Sequence, residues 1–196
     1  DIDKAKQLLI DDGWTLNEEG EPFVKGEDQV RAKIVDGELM VLRLRFGKMQ
    51  DSVAAEMLDK MMAEPLAAIG IVIESTEAPF VELLEHYYRQ RERTFDIMYL
   101  ATNFISIFDP YFVFNTRDEF QGHQNTTGLR DEELERIALE LRQTQPGAYL
   151  EYAQKWLEFQ TDFNEKLPML PLYGNIYFDV FTDKLQNYHP DSELYD

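Results

Sequence analysis

The chain has 196 residues, 44% hydrophobic and 13% aromatic, which is enough for one sizeable core and too apolar for a disordered segment. Its 38 acidic side chains against 19 basic ones give a formal net charge of −19, which repels phosphate backbones and argues against nucleic acid as a partner. Cysteine is absent, which excludes disulfides, thiolate metal sites and cysteine nucleophiles. No apolar run approaches the roughly 20 residues that span a bilayer.

In chain order, residues 2 to 12 predict a short helix with Ala5, Leu8 and Leu9 on one face, stopped by Gly13. This opening lacks the basic start, apolar block and small-residue cleavage site of an export signal, and it reads as a helix partway through a longer protein. A polar stretch rich in Gly and Asp follows as a surface loop or ragged hairpin. In "ELMVLRLRF", Met40, Leu42, Leu44 and Phe46 alternate with Val41, Arg43 and Arg45, so 39–46 is expected to be one strand with a wet face.

"SVAAEMLDKMMAEPLAAIG" predicts a helix with Val53, Met57, Met61 and Leu66 as its inward stripe and Asp51 or Ser52 as its cap. Pro65 predicts a kink or restart, since an interior proline removes a backbone hydrogen bond. Gly70 ends the helix before "IVIES", a short buried strand over 71–75. Pro79 then opens a helix with Phe80, Leu83, Leu84, Tyr87 and Tyr88 as its stripe, and 94–101 is the next strand.

Strand, helix, strand, helix, strand at these separations implies parallel strands joined by right-handed crossovers. Further on, a helix is expected from Asp131 to about Thr144 on Leu134, Ile137, Ala138 and Leu141. Another runs from Pro146 to about Lys166 on Tyr149, Ala153, Trp156, Phe159 and Phe163. Pro168 and Pro171 make the stretch after it extended, as an edge or crossing strand. The whole is expected to be a single α/β domain, 1–196.

Catalytic chemistry is missing from this pattern. There is no Gly-rich phosphate loop and no nucleophile elbow. His86, His123 and His189 lack the spacing of zinc ligands, and His86 falls among apolar positions as a packed histidine. Carboxylate clusters such as "RDEELER" fit solvated helix faces. Neither enzyme activity, cofactor nor metal is predicted.

The segment "YLATNFISIFDPYFVFN", residues 99–115, combines aromatic and branched residues with scattered polar ones. It begins at the carboxyl end of the third predicted strand, where open α/β sheets meet their ligands. Its composition suits a ligand wall or domain interface, or a small satellite core under a loop. In the first case Thr102 and Asn103 offer hydrogen bonds, while Phe104, Ile105, Ile107 and Phe108 form the apolar wall. Tyr111, Phe112 and Phe114 are expected to pack inward after a helix start at Asp109-Pro110.

The blocks "DKAKQLLIDDGW", "MLDKMMAEPLAAIGIVIES", "TFDIMYLATNFISIFDPYFVFN", "NTTGLRDEELERIA" and "FNEKLPMLPLY" occur in an order and spacing that resembles the solute-binding proteins of family 5. These are the oligopeptide-, dipeptide- and nickel-type receptors of bacterial ABC importers, and the resemblance is to their C-terminal half. It implies one lobe of a type II periplasmic-binding-protein-like fold, mainly parallel sheet with helices on both faces, whose N-terminal lobe is not part of this chain. It also implies a membrane permease as partner, a place outside the cell membrane or in the periplasm, and a lipid anchor on the parent protein.

The same resemblance implicates Tyr99, Ala101, Thr102, Asn103 and Phe104 in binding an extended ligand by strand addition, with Asn125, Tyr173 and Asn175 bordering the cleft. The chain departs from the family in one respect. Peptide receptors place an aspartate shortly after this strand for the ligand's amine, whereas here Asn103, Phe104, Ile105 and Ser106 stand there and the first acid is Asp109. Oligopeptide is the leading ligand class, and an oligosaccharide stacked on aromatic rings is the alternative.

Overall fold

Turn chemistry and one pivot residue decide how the amino-terminal strands divide. The computed structural model describes residues 1–101, 109–174 and 180–187. Backbone proximity separates two units, 1–101 and 102–196, and each has its own framework.

The first unit opens with α1 (Ile2–Asp11), capped by the Asp1 carboxylate, which accepts from the Lys4 amide at 3.0 Å. Leu8, expected on the inward face, is exposed. The polar stretch expected as loop or hairpin contains β1 (Leu16–Asn17) and β2 (Arg31–Val35). Asp36 and Gly37 both take positive φ, 51° and 86°, and turn β2 back on β3 (Glu38–Val41) as an antiparallel hairpin. These three form an antiparallel sheet in the order β1-β2-β3.

The strand expected over 39–46 is therefore two strands in two sheets. The break falls at Leu42, whose amide donates back to the Arg31 carbonyl at 2.7 Å while its carbonyl accepts from Val72 at 3.2 Å. One residue thus bonds to both sheets, and alternating hydrophobicity runs through the pivot without marking it. β4 (Arg43–Met49) then pairs parallel with β5 (Val72–Ala78) and with β6 (Ile97–Met98), in the order β5-β4-β6.

The parallel strands and their crossovers match the sequence expectation, with two differences. β5 is an edge strand and mostly exposed, not buried as "IVIES" suggested. β6 is two residues long, not the eight expected over 94–101.

α2 (Val53–Ala67) joins β4 to β5, and α3 (Phe80–Tyr87) joins β5 to β6. The two crossovers travel in opposite directions across β4, so right-handedness puts the helices on opposite faces of the sheet. β4 side chains agree. Lys48 reaches Glu56 and Asp59 of α2, while Met49 packs with Ala78, Leu83 and Phe95 on the other face. This is an α/β fold with a parallel sheet covered on both faces.

Ser52 caps α2, its hydroxyl accepting from the Ala55 amide at 3.3 Å. The helix runs through Pro65 without the expected interruption. Pro65 lies on an exposed side in the last turn, where the carbonyl it leaves unpaired is within reach of solvent. Gly70, at φ 84°, closes the end. Ile71 donates to Leu66 at 3.0 Å, and a side chain at Gly70 would meet Arg31 Cγ at 2.6 Å. The inward stripe is not the expected one, because Val53, Met57 and Met61 are all exposed and Ala55 is the buried position.

The second unit is helical. Asp109 caps α4 (Pro110–Val113), accepting from the Tyr111 amide at 3.1 Å, and Phe114 follows, fully buried. A short 3-10 turn, Asp118–Phe120, leads into a polar loop. α5 (Glu132–Arg142) is capped by Asp131, and its Leu134, Ile137, Ala138 and Leu141 are all buried as read from the sequence. α6 (Tyr149–Lys166) packs Trp156, Phe159 and Phe163 with Phe114 and α5, but Tyr149 and Ala153 of its expected stripe are exposed. Among the described residues after α6, 167–174 form no strand.

Candidate functional site

The carboxyl ends of β4, β5 and β6 lie at one end of the parallel sheet, since Met49 pairs with Ala78 and Gly47 with Met98. Among the described residues β6 is an edge strand, and just beyond it Tyr99 donates its amide to the Gly47 carbonyl at 3.3 Å. Met98 and Leu100 pack on the Ala78–Leu83–Phe95 cluster. Alternation along the extended chain turns Tyr99 the other way, where it is half-buried, and Ala101 is exposed.

An ion pair that sequence reasoning missed holds the start of β6 in place. One Asp96 oxygen accepts from both the amide and the Nε of Arg45, at 2.8 and 2.9 Å, and the other accepts from a terminal guanidinium nitrogen at 2.9 Å. These bonds, opposed by partial burial, hold the Asp96 carboxyl below its ordinary range. The carboxylate sits immediately before β6 and bonds to the backbone of β4, so it fixes the register in which β6 joins the sheet. The signal was present in "FD" directly ahead of the strand, opposite an arginine on the wet face of β4.

A second cluster lies under α2. Lys48 is buried and bonds Glu56 and Asp59, the latter at 3.1 Å, with Glu77 at 3.7 Å. The Glu56 and Asp59 bonds raise the Lys48 pKa. Asp59 also accepts from the Ser75 hydroxyl, which is the main cause of its lowered pKa. The cluster joins α2 to β4 and β5, and each member has a partner within the chain.

Tyr99 and Ala101 thus stand together at the end of β6. Thr102, Asn103, Phe104 and Asn175, with the expected wall residues Ile105, Ile107 and Phe108, lie outside the described residues. Asn125, in the second unit, is fully buried. Its Nδ2 donates to the carbonyls of Asn115 and Leu129 at 3.0 and 2.8 Å, and its Oδ1 accepts from the Thr127 hydroxyl and the Gly128 amide at 2.9 and 3.0 Å. A carboxamide has two donors and two good acceptor directions, so the loop engages all of them. Tyr173 is 65% exposed.

Asp109, the first acid after β6, is equally engaged, with one oxygen on the Tyr111 amide and the other on the Arg142 guanidinium. Arg142 also lies over the Tyr111 and Phe112 rings, 5.5 and 4.4 Å from their centroids. The described aromatic residues of 99–115 are therefore buried or half-buried and partly capped by a cation. His86 is packed as expected, its Nδ1 donating to the Glu92 carbonyl at 2.7 Å with Phe95 edge-on at 5.0 Å. Among the described residues there is no metal-binding cluster of acids and histidines and no helix long and apolar enough to cross a membrane.

No family model and no curated protein matches the chain. Solved structures do share its fold. The oligopeptide-binding protein of Thermus thermophilus, solved with a pentapeptide, is 24% identical over 88% of this chain and 29% of its own, with a TM-score of 0.68. The oligopeptide-binding protein AppA of Bacillus subtilis, solved with a nonapeptide, is 19% identical over 85% and 30%, at 0.67. A periplasmic oligopeptide-binding protein of Thermotoga maritima, solved with mannohexaose, is 18% identical over 89% and 31%, at 0.63. The fold is that of part of these solute-binding proteins, and the chain spans about 30% of their length.

Proposed function

We propose that this chain is the carboxyl-terminal lobe of a two-lobed family 5 receptor that captures an oligopeptide outside the cell membrane for a bacterial ABC importer. It binds and does not catalyse. Its partners are the peptide, an amino-terminal lobe on the same polypeptide and a membrane permease, and the parent protein carries a lipid anchor. The observation that carries this reading is the place of β6 as an edge strand of the parallel sheet among the described residues, with 99–101 continuing from its carboxyl end. An extended peptide can add to such an edge through backbone hydrogen bonds, with side-chain pockets giving selection.

Tyr99, Ala101, Thr102, Asn103 and Phe104 contact the peptide in this reading, and Tyr173 and Asn175 border it. Asn125 acts by holding its own loop, since its carboxamide has no bonding capacity left. The aromatic platform needed for an oligosaccharide has less support, because Phe114 is buried and Arg142 covers Phe112.

Calorimetric titration of the longer protein with a pentapeptide, and separately with mannohexaose, tests the proposal. The expected result is peptide binding that weakens about tenfold in Ala101→Pro, which removes one backbone donor at an exposed position. Asn103→Ala and Phe104→Ala weaken it as well. Unchanged affinity in all three variants would overturn the site, and binding of mannohexaose alone would overturn the ligand class.

A further inference from the structure

β6 has only two residues, so its own ladder does little to fix where the chain sits along β4. The side chains around it narrow the choice without settling it. Met98 and Leu100 both pack on the Ala78–Leu83–Phe95 cluster, and a slip of one residue along β4 would turn both away from it. A slip of two residues keeps every side chain on its face, and in one direction it seats Leu100 where Met98 lies. It would also carry Tyr99 and Ala101 roughly 7 Å along the sheet.

Phe95 and Asp96 discriminate between these placements. Gly47 is the only residue of β4 without a side chain, and the Phe95 ring takes the space: a Cβ at Gly47 would stand 2.8 Å from Phe95 Cγ. His86 meets the same ring edge-on at 5.0 Å, so the ring is held from both sides. Asp96 accepts from the Arg45 amide and guanidinium, and its own amide donates to the Arg45 carbonyl at 2.9 Å. Slipped two residues one way, Asp96 would face Gly47 and lose its cation. Slipped the other way, it would face Arg43, which Glu18 and Glu74 already hold, and Phe95 would lie on the Arg45 side chain.

We propose that Phe95 and Asp96 are positioning residues of the ligand site. By engaging Gly47 and Arg45 they select the one placement of β6 that presents Tyr99 and Ala101 at the carboxyl end of the sheet, and they touch no ligand themselves. This rests on reading 99–101 as part of a peptide site.

The test compares Asp96→Ala, Arg45→Ala and the two together with Ser52→Ala, which removes the α2 cap and controls for lost stability in the same unit. In the longer protein, Asp96→Ala is expected to weaken pentapeptide binding about tenfold, because affinity falls with the fraction of molecules in the competent placement. Arg45→Ala should lose less, since Asp96 keeps the backbone amide, and the double variant should match Asp96→Ala alone. Gly47→Ala, whose methyl group must displace Phe95, should weaken binding too. Ser52→Ala should bind as before. In residues 1–196, nuclear Overhauser contacts between Gly47 and Met98 read the placement directly, and they should weaken in Asp96→Ala while persisting in Ser52→Ala. Unchanged affinity in Asp96→Ala would overturn the proposal, as would undiminished contacts or an equal loss of affinity in Ser52→Ala. If the unsubstituted longer protein binds no peptide, the receptor reading fails alone, and the Overhauser contacts still decide whether Asp96 sets the place of β6.

Discussion

α5 and α2 each offer an apolar stripe in the sequence, yet the two meet opposite fates. Leu134, Ile137, Ala138 and Leu141 of α5 are all buried, while Val53, Met57 and Met61 of α2 are all exposed. The difference lies in the remaining positions. Outside its stripe α5 has Glu132, Glu133, Glu135, Arg136, Glu140 and Arg142 with Leu139 as the one apolar residue, so only one face can leave water. α2 has apolar residues on both flanks, and its most buried contact is the small Ala55 beside a set of ion pairs. Periodicity measures how polarised a helix is; it chooses the covered face only when the other face is charged.

The sharpest way to break this comparison is to truncate one stripe at a time. Phe159→Ala removes a buried ring that stacks on Trp156 at 5.5 Å and meets Phe114 at 5.8 Å. A loss of about 3–5 kcal/mol is expected, large enough to unfold a marginal domain. Urea denaturation followed by tryptophan fluorescence measures it. A loss below about 1 kcal/mol would mean that the second unit does not depend on this core.

Asn125→Ala is the next largest. The substitution leaves the Leu129 carbonyl and the Gly128 amide without their side-chain partner inside a partly buried loop, while the Asn115 carbonyl keeps the Gln121 Nε2 donor at 3.0 Å. Each group left unpaired costs about 1–3 kcal/mol, less what the loop recovers by relaxing toward water. A loss of at least about 2 kcal/mol of stability in urea denaturation is expected, with the peptide affinity of the folded protein unchanged. A variant of full stability with impaired binding would return Asn125 to the ligand.

How much could be read beforehand follows the same logic. The α5 stripe, the Asp109-Pro110 helix start with Phe114 packed inward, and the parallel crossovers were legible because each rests on local periodicity or capping. The division of 39–46 was not, because Leu42 bonds to two sheets and alternation continues straight through it. The shortness of β6 escaped for a related reason: Tyr99 to Ala101 have strand-like side chains but lie outside the strand, and strand length depends on partners far away in sequence. At the candidate site, strand order alone was enough to put Tyr99 and Ala101 at the end of the parallel sheet. Asn125 did not keep a free carboxamide, and nothing in "NTTG" announces that Asn115 and Leu129 use it.

The acid limb of stability probes the inner side of α2 in another way. Asp59 is held below its ordinary range first by the Ser75 hydroxyl and further by Lys48, and Glu56 first by Lys48. Carboxylates with depressed folded-state values contribute fully above the unfolded range and lose that contribution as pH falls below about 4. Lys48→Met removes the cation they share, so the variant should be less stable at neutral pH and lose less on acidification. Denaturation midpoints taken from about pH 7 down to about pH 3 would show the two curves converging. Parallel curves would mean that the cluster adds nothing specific.

The smallest effect is the most informative about the exposed Val53–Met57–Met61 stripe. Met57→Lys places a charge where the side chain is 57% exposed and opposite the buried flank of α2. In residues 1–196 the substitution loses little packing and gains hydration, so stability should change by no more than about 0.5 kcal/mol in either direction. A new charge one position before Leu58 and three before Lys60 affects helix propensity only slightly. Placed in the core of α5, the same change at Ile137 would bury an unpaired ammonium and could not be tolerated. If Met57→Lys nevertheless costs more than about 1 kcal/mol in the isolated chain, that stripe is already covered there, and the distinction between the two helices fails at its exposed end.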